Sequence, residues 1–223
     1  MKKLLLLSAL FLLLPNVGYA ATTWNPSDKS TNITLSGGDL IATHAANTDW
    51  AGVRGTVAKA TGKWYWELTT GSGAATDGGI GLMTAATTLD GANYANPSGS
   101  YFFYPPGGGY YNNGSLVFAT SNITVGDIVM FAYDADTGEI WGGVNGTWHN
   151  SGNPAAATGE IWTGAPASLY PMFGSNQNGG VMTVNFSATT AYTPPTGFSV
   201  YDALPAAVTV ASVLASILDW FDS

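Results

Sequence analysis

Apolar and polar positions alternate with a period of two in many short runs, and Gly, Asn, Asp and Pro separate the runs. The clearest case spans residues 126–152. Ile128, Val129, Met130, Phe131 and Tyr133 form a run of strand formers, a turn follows at 134–138, and a second strand covers 139–144. Asn145-Gly146 then predicts a type I′ turn, because both residues tolerate positive φ, so the stretch reads as consecutive antiparallel hairpins. In the run 63–70, Trp64, Trp66 and Leu68 fall on one face. Ile33 and Leu35 alternate with Thr34 and Ser36, and Gly37-Gly38 turns the chain into 40–43. Further strands are predicted at 53–57, 80–83, 170–173 and 181–186, with loops at 84–100 and 175–180. An aromatic cluster at 101–111 is broken by Pro105-Pro106 and three glycines. No repeat and no second domain is visible.

The two ends depart from this pattern. Lys2 and Lys3 precede an apolar run over 4–14, then Pro15 and Gly18-Tyr19-Ala20, which reads as an export signal cleaved after Ala20. The run is shorter than the roughly 20 residues a membrane span takes, although an uncleaved anchor is the alternative. In 206–223, Val210, Val213, Leu214, Ile217 and Phe221 share one helical face, with Pro205 at the helix start. That amphipathic helix has three readings: packing on its own domain, self-association or docking to a larger assembly, and membrane-surface binding. The polar face lacks the Lys or Arg that an interfacial helix uses. The resulting division is a signal peptide at 1–20, a β-sandwich domain at 21–204 and a helical tail at 205–223.

Composition narrows the partners. The chain has 223 residues, enough for one domain with a full core, and is 9% charged with 29 glycines, which suits a sandwich of many turns. Its net charge of −8, with no Lys or Arg after Lys63, argues against nucleic acid and anionic lipid. There is no cysteine, so an exported protein of this sequence is held by its core and ladders alone, and thiol chemistry and Cys-ligated zinc are excluded.

An ordered set of motifs carries a family resemblance. Gly62 with 63–67, Gly79-Ile80-Gly81, Ser100-Tyr101, Gly126-Asp127-Ile128-Val129, the turn 134–138, Ile140-Trp141, Asn145-Gly146-Thr147-Trp148, Leu169-Tyr170-Pro171 and Val184-Asn185-Phe186 together resemble a SPRY (B30.2-like) domain between Trp24 and Phe198. The export signal and the Pro/Gly insert at 105–109 resemble bacterial or phage-type members more closely than intracellular animal ones. The resemblance implies an all-β fold: a bent sandwich of two antiparallel sheets, SPRY or concanavalin-like, that recognises partners through loops at one end and performs no catalysis. The ligand surface it implies lies near 101–111 and 175–179. The candidate ligand contacts are Tyr104, Tyr110, Tyr111, Asn176 and Gln177; aromatic faces and side-chain amides suit a protein or a glycan equally.

Catalytic signals are weak. His44 and His149 are the two histidines, and neither sits in a G-x-S-x-G elbow or a His-x-x-x-His pair. No catalytic residue and no cofactor is assigned. Asp134, Asp136 and Glu139 crowd one turn and are weak calcium candidates, but Asp and Gly build such turns without a cation. The leading expectation is a secreted or surface-exposed binding module for a protein or glycan, for example in cell-surface or virus–host attachment. A structural subunit of a surface assembly or virion, joined through 206–223, is the alternative. A carbohydrate-active enzyme using Glu67 is the third reading.

Overall fold

The computed structural model describes residues 21–45, 50–73, 78–91, 99–176 and 178–202. The expected signal segment (1–20), Gln177 and the expected tail helix (205–223) lie outside the described residues. Residues Thr22–Ala203 form one compact unit.

It is a sandwich of two antiparallel sheets. The first runs, edge to edge, β1 (Trp24–Lys29), β4 (Ala51–Gly55), β13 (Tyr170–Ser175), β6 (Gly78–Met83), β7 (Ser100–Tyr104), β8 (Gly109–Asn112) and β9 (Ser115–Ala119). The second runs β12 (Thr147–Trp148), β11 (Glu139–Val144), β10 (Ile128–Asp134), β5 (Lys63–Thr70), β14 (Val181–Asn185), β3 (Ile41–His44) and β2 (Ile33–Ser36). β15 (Ser199–Val200) lies parallel to β5. The expected hairpins form: β10 pairs β11 from Val129↔Val144 to Asp134↔Glu139, and Asn145 and Gly146 take the positive φ of 50° and 82°.

Trp66 and Leu68 point between the sheets with Phe131, Tyr133, Phe103 and Phe173, and Trp64 packs against this core, so the shared face read from the sequence is the core face. Trp66 stacks on Phe131 with centroids 5.4 Å apart. The outer faces are covered too. Tyr65, Met130, Ala132 and Trp141 pack with Phe198 and Tyr192, while Met83, Phe102 and Met172 pack with Leu89 and Trp50. Two-sided burial explains why β10 reads as an almost unbroken apolar run.

Two buried charges fasten these covers. Glu67 accepts from the Tyr65 hydroxyl (2.7 Å) and from the backbone N–H of Ala191 (2.7 Å) and Tyr192 (2.8 Å). Arg54 donates to Asp28 (2.8 Å), Met83 Sδ (3.2 Å) and the Thr87 carbonyl (2.6 Å), holding the turn after β6 against the first sheet. The strand expected at 53–57 is shifted to Ala51–Gly55. β9 and β15 have no counterpart in the sequence reading.

Candidate functional site

The connections β3–β4, β5–β6, β7–β8, β9–β10, β11–β12 and β13–β14 all leave the sandwich at one end, as the antiparallel registers require. Alternation along β7 and β8 divides the aromatic cluster. Tyr101, Phe103 and Tyr110 face the core; Phe102, Tyr104 and Tyr111 face outward. At this end the outward rings form a patch: Trp50 meets Tyr104 edge-on at 5.5 Å, Tyr104 meets Tyr111 at 6.1 Å, and Tyr111 stacks on Phe102 at 5.8 Å. Trp50, Tyr104 and Tyr111 are half-buried.

The Pro/Gly insert sets the two tyrosines. Pro105–Gly107 is a 3-10 turn, Gly108 takes φ 73°, and the Tyr111 hydroxyl donates to the Gly107 carbonyl. A Cβ on Gly107 would collide with both Tyr104 and Tyr111, so glycine is what lets the turn tuck between the rings. On the neighbouring strands, the register pairing Ser175 with Ala51 places Asn176 next to Trp50. The Asn176 Oδ1 is shielded from solvent and has no hydrogen-bond partner. The loop beyond it is held by the backbone: Gly179 N–H donates to His44 O, His44 N–H to Gly180 O, and Val181 N–H to Ser72 O, each at 2.8 Å.

Solved structures share this architecture. The SPRY domain of human HERC1 superposes with a TM-score of 0.60 at 17% identity, covering 72% of this chain and 96% of that one. A human SPRY domain gives 0.54 at 16%, covering 72% and 98%, and the TRIM65 PSpry domain gives 0.55 at 13%, covering 75% and 93%. The fold is that of a SPRY domain. No family model and no curated protein matches the sequence.

In this SPRY-like sandwich the expected contacts separate. Tyr104, Tyr111 and Asn176 come to the same end of the same sheet. Tyr110 does not belong with them: it is 0% exposed, stacks on Phe103 at 4.7 Å, and its hydroxyl reaches Nδ1 of His149, just past β12 of the other sheet, at 2.9 Å. Its one-residue offset from Tyr111 turns it inward, and burial drives its phenol far above the usual pKa. Gln177 lies outside the described residues. Trp50 was missed; a lone Trp between polar and small residues gives no periodic signal.

The carboxylates of the calcium candidates have other partners. Asp134 Oδ2 pairs with Lys63 Nζ at 2.7 Å and its Oδ1 accepts from Asp136 N–H; Asp136 Oδ1 accepts from Gly62 N–H, and Glu139 Oε2 from the Thr137 hydroxyl. Burial pushes the Asp134 carboxyl up, but the Lys63 contact and the Asp136 N–H outweigh it and hold it below the usual carboxylate range. Among the described residues, no three His, Asp or Glu side chains come together as a metal site. The histidines stay apart in role. His149 bonds Tyr110, and burial lowers its pKa. His44 is 0% exposed, with neither ring nitrogen hydrogen-bonded.

Proposed function

We propose that this protein is a non-catalytic recognition module whose loop end binds an uncharged segment of a protein partner. The observation that carries it is the outward patch of Trp50, Tyr104 and Tyr111, with Asn176 following the strand that pairs beside Trp50 at the same end. Half-buried aromatic side chains at a loop end offer large contact area at low entropic cost. The stretches that carry Tyr104, Tyr111 and Asn176, residues 91–126 and 161–201, contain no Asp, Glu, Lys or Arg, which favours an uncharged partner on that side, while the exposed Asp90 is bridged to Ala51 beside Trp50. Catalysis finds no support in the candidate acid, since both Glu67 oxygens are occupied by hydrogen bonds that fix the 191–192 segment. We place the module outside the cytoplasm, following the export signal read at 1–20.

Two screens of the purified chain test this reading: selection from a displayed random-peptide library, and a glycan array with and without calcium. Enrichment of neutral, apolar peptides, with binding insensitive to salt, is the expected result. A blank peptide selection with a defined sugar hit overturns the protein partner in favour of a lectin. Calcium dependence would reassign the turn at 134–138.

A further inference from the structure

We propose that the free edge of β9 is a self-association surface that pairs antiparallel with β9 of a second copy of this chain. The first sheet ends at β9, whose strand partner is β8. An edge strand turns half of its backbone donors and acceptors away from its own sheet, ready to pair with another strand. The side chains suit that use. Leu116 is 50% exposed, Val117 48% and Val125, just beyond the strand, 64%; among the described residues Val57 is the other large apolar side chain so exposed.

The other three sheet edges carry guards. β1 contains Pro26 and loses register between Trp24 and Lys29. At β2, the Lys29 ammonium donates to the Ile33 carbonyl at 2.7 Å and sets a cation on the edge. β12 is two residues long. β9 has no Pro and no charge; its one guard is the bulge at Val117, between the pairs Tyr110↔Phe118 and Tyr111↔Leu116, which leaves that apolar side chain on the edge.

Charge permits a second copy of this chain as the occupant. The chain carries a net −8, so most approaches of two copies are repulsive, yet residues 91–126, which build β7, β8 and β9, hold no charged side chain. Two copies can meet along this strip without bringing carboxylates together, and nothing on it selects a charged foreign strand. An antiparallel pair of β9 strands about a twofold near Val117 is self-complementary and joins the two seven-stranded sheets into one. The two loop ends then point in opposite directions, which makes the assembly bivalent.

The mass of the full-length chain in solution tests this, measured by light scattering on a sizing column. Wild type and the β2-edge control Thr34→Lys should run at twice the chain mass, and Val117→Lys at the single-chain mass. A single-chain mass for wild type, or twice the mass retained in Val117→Lys, overturns the proposal. Because the chain has no cysteine, Val117→Cys gives a second reading that needs no charged edge. Directly opposed residues in antiparallel strands have Cα atoms about 4.5–5.5 Å apart, within disulfide reach. Mild oxidation should therefore link Val117→Cys into a covalent dimer well ahead of Thr34→Cys; equal rates would overturn it.

Discussion

Tyr110 and Tyr111 are adjacent in sequence and opposite in use. The first crosses the core to His149; the second lies against Gly107 on the outer face. A Cβ on Gly142 would run into the Tyr110 ring, so Gly142→Ala should overpack the core and lower stability by about 1–3 kcal/mol, read from the urea midpoint. His149 carries a pH signature. Burial lowers its pKa below 6.5, so the unfolded chain takes up the proton first as pH falls. Stability from this group is present above about pH 6.5 and lost as pH falls from there towards its folded value. His149→Gln should remove that part of the melting-temperature profile; an unchanged profile would contradict it. The sequence made part of this legible. Alternation said that half of the cluster at 101–111 is buried, and it is. Which half depends on phase, and phase is set by pairing with β6 and β9, distant or unrecognised in the sequence.

Among the elements, those with strong local signals were readable. Asn145-Gly146 specified its turn, and the 63–70 run specified its core face. β9 was not, because Leu116, Val117, Phe118 and Ala119 neither alternate nor show a turn signal within the strand; its existence depends on β8 as a template. The segment over the outer face of the second sheet was equally hidden, since what holds it is Glu67, far away in sequence. Glu67→Ala should leave the Ala191 and Tyr192 N–H groups and the Tyr65 hydroxyl without their acceptor and cost about 2–3 kcal/mol. Hydrogen exchange should then rise at 191–192, and exchange confined to other segments would contradict this role. Arg54 fastens the other cover. Arg54→Ala should cost about 2 kcal/mol and loosen the turn after β6, measured in the same way.

At the scale of the whole molecule, every cation among the described residues is engaged within the fold. Lys29 caps Ile33, Arg54 pairs with Asp28, Lys59 sits 3.7 Å over the Trp64 ring, and Lys63 pairs with Asp134. The sequence could count these charges but not show that the fold consumes them. The acid side follows. The Asp134 and Asp127 carboxyls are both held below their usual range, Asp127 chiefly by the Thr124 N–H and the Asn145 amide. Their stabilisation is present above the ordinary carboxylate pKa near 4 and is lost as pH falls through the lowered folded values. The candidate site was half legible: Tyr104, Tyr111 and Asn176 were named from the chain, while Trp50 joins them through the pairing of β4 with β13. The most direct test of recognition at this end is the affinity of a library-selected peptide for three proteins: wild type, the double variant Tyr104→Ala with Tyr111→Ala, and Tyr110→Phe. The account predicts a loss of about tenfold or more in the double variant with its fold intact. Tyr110→Phe should bind like wild type while melting at a lower temperature. Unchanged affinity in the double variant would contradict recognition through this patch.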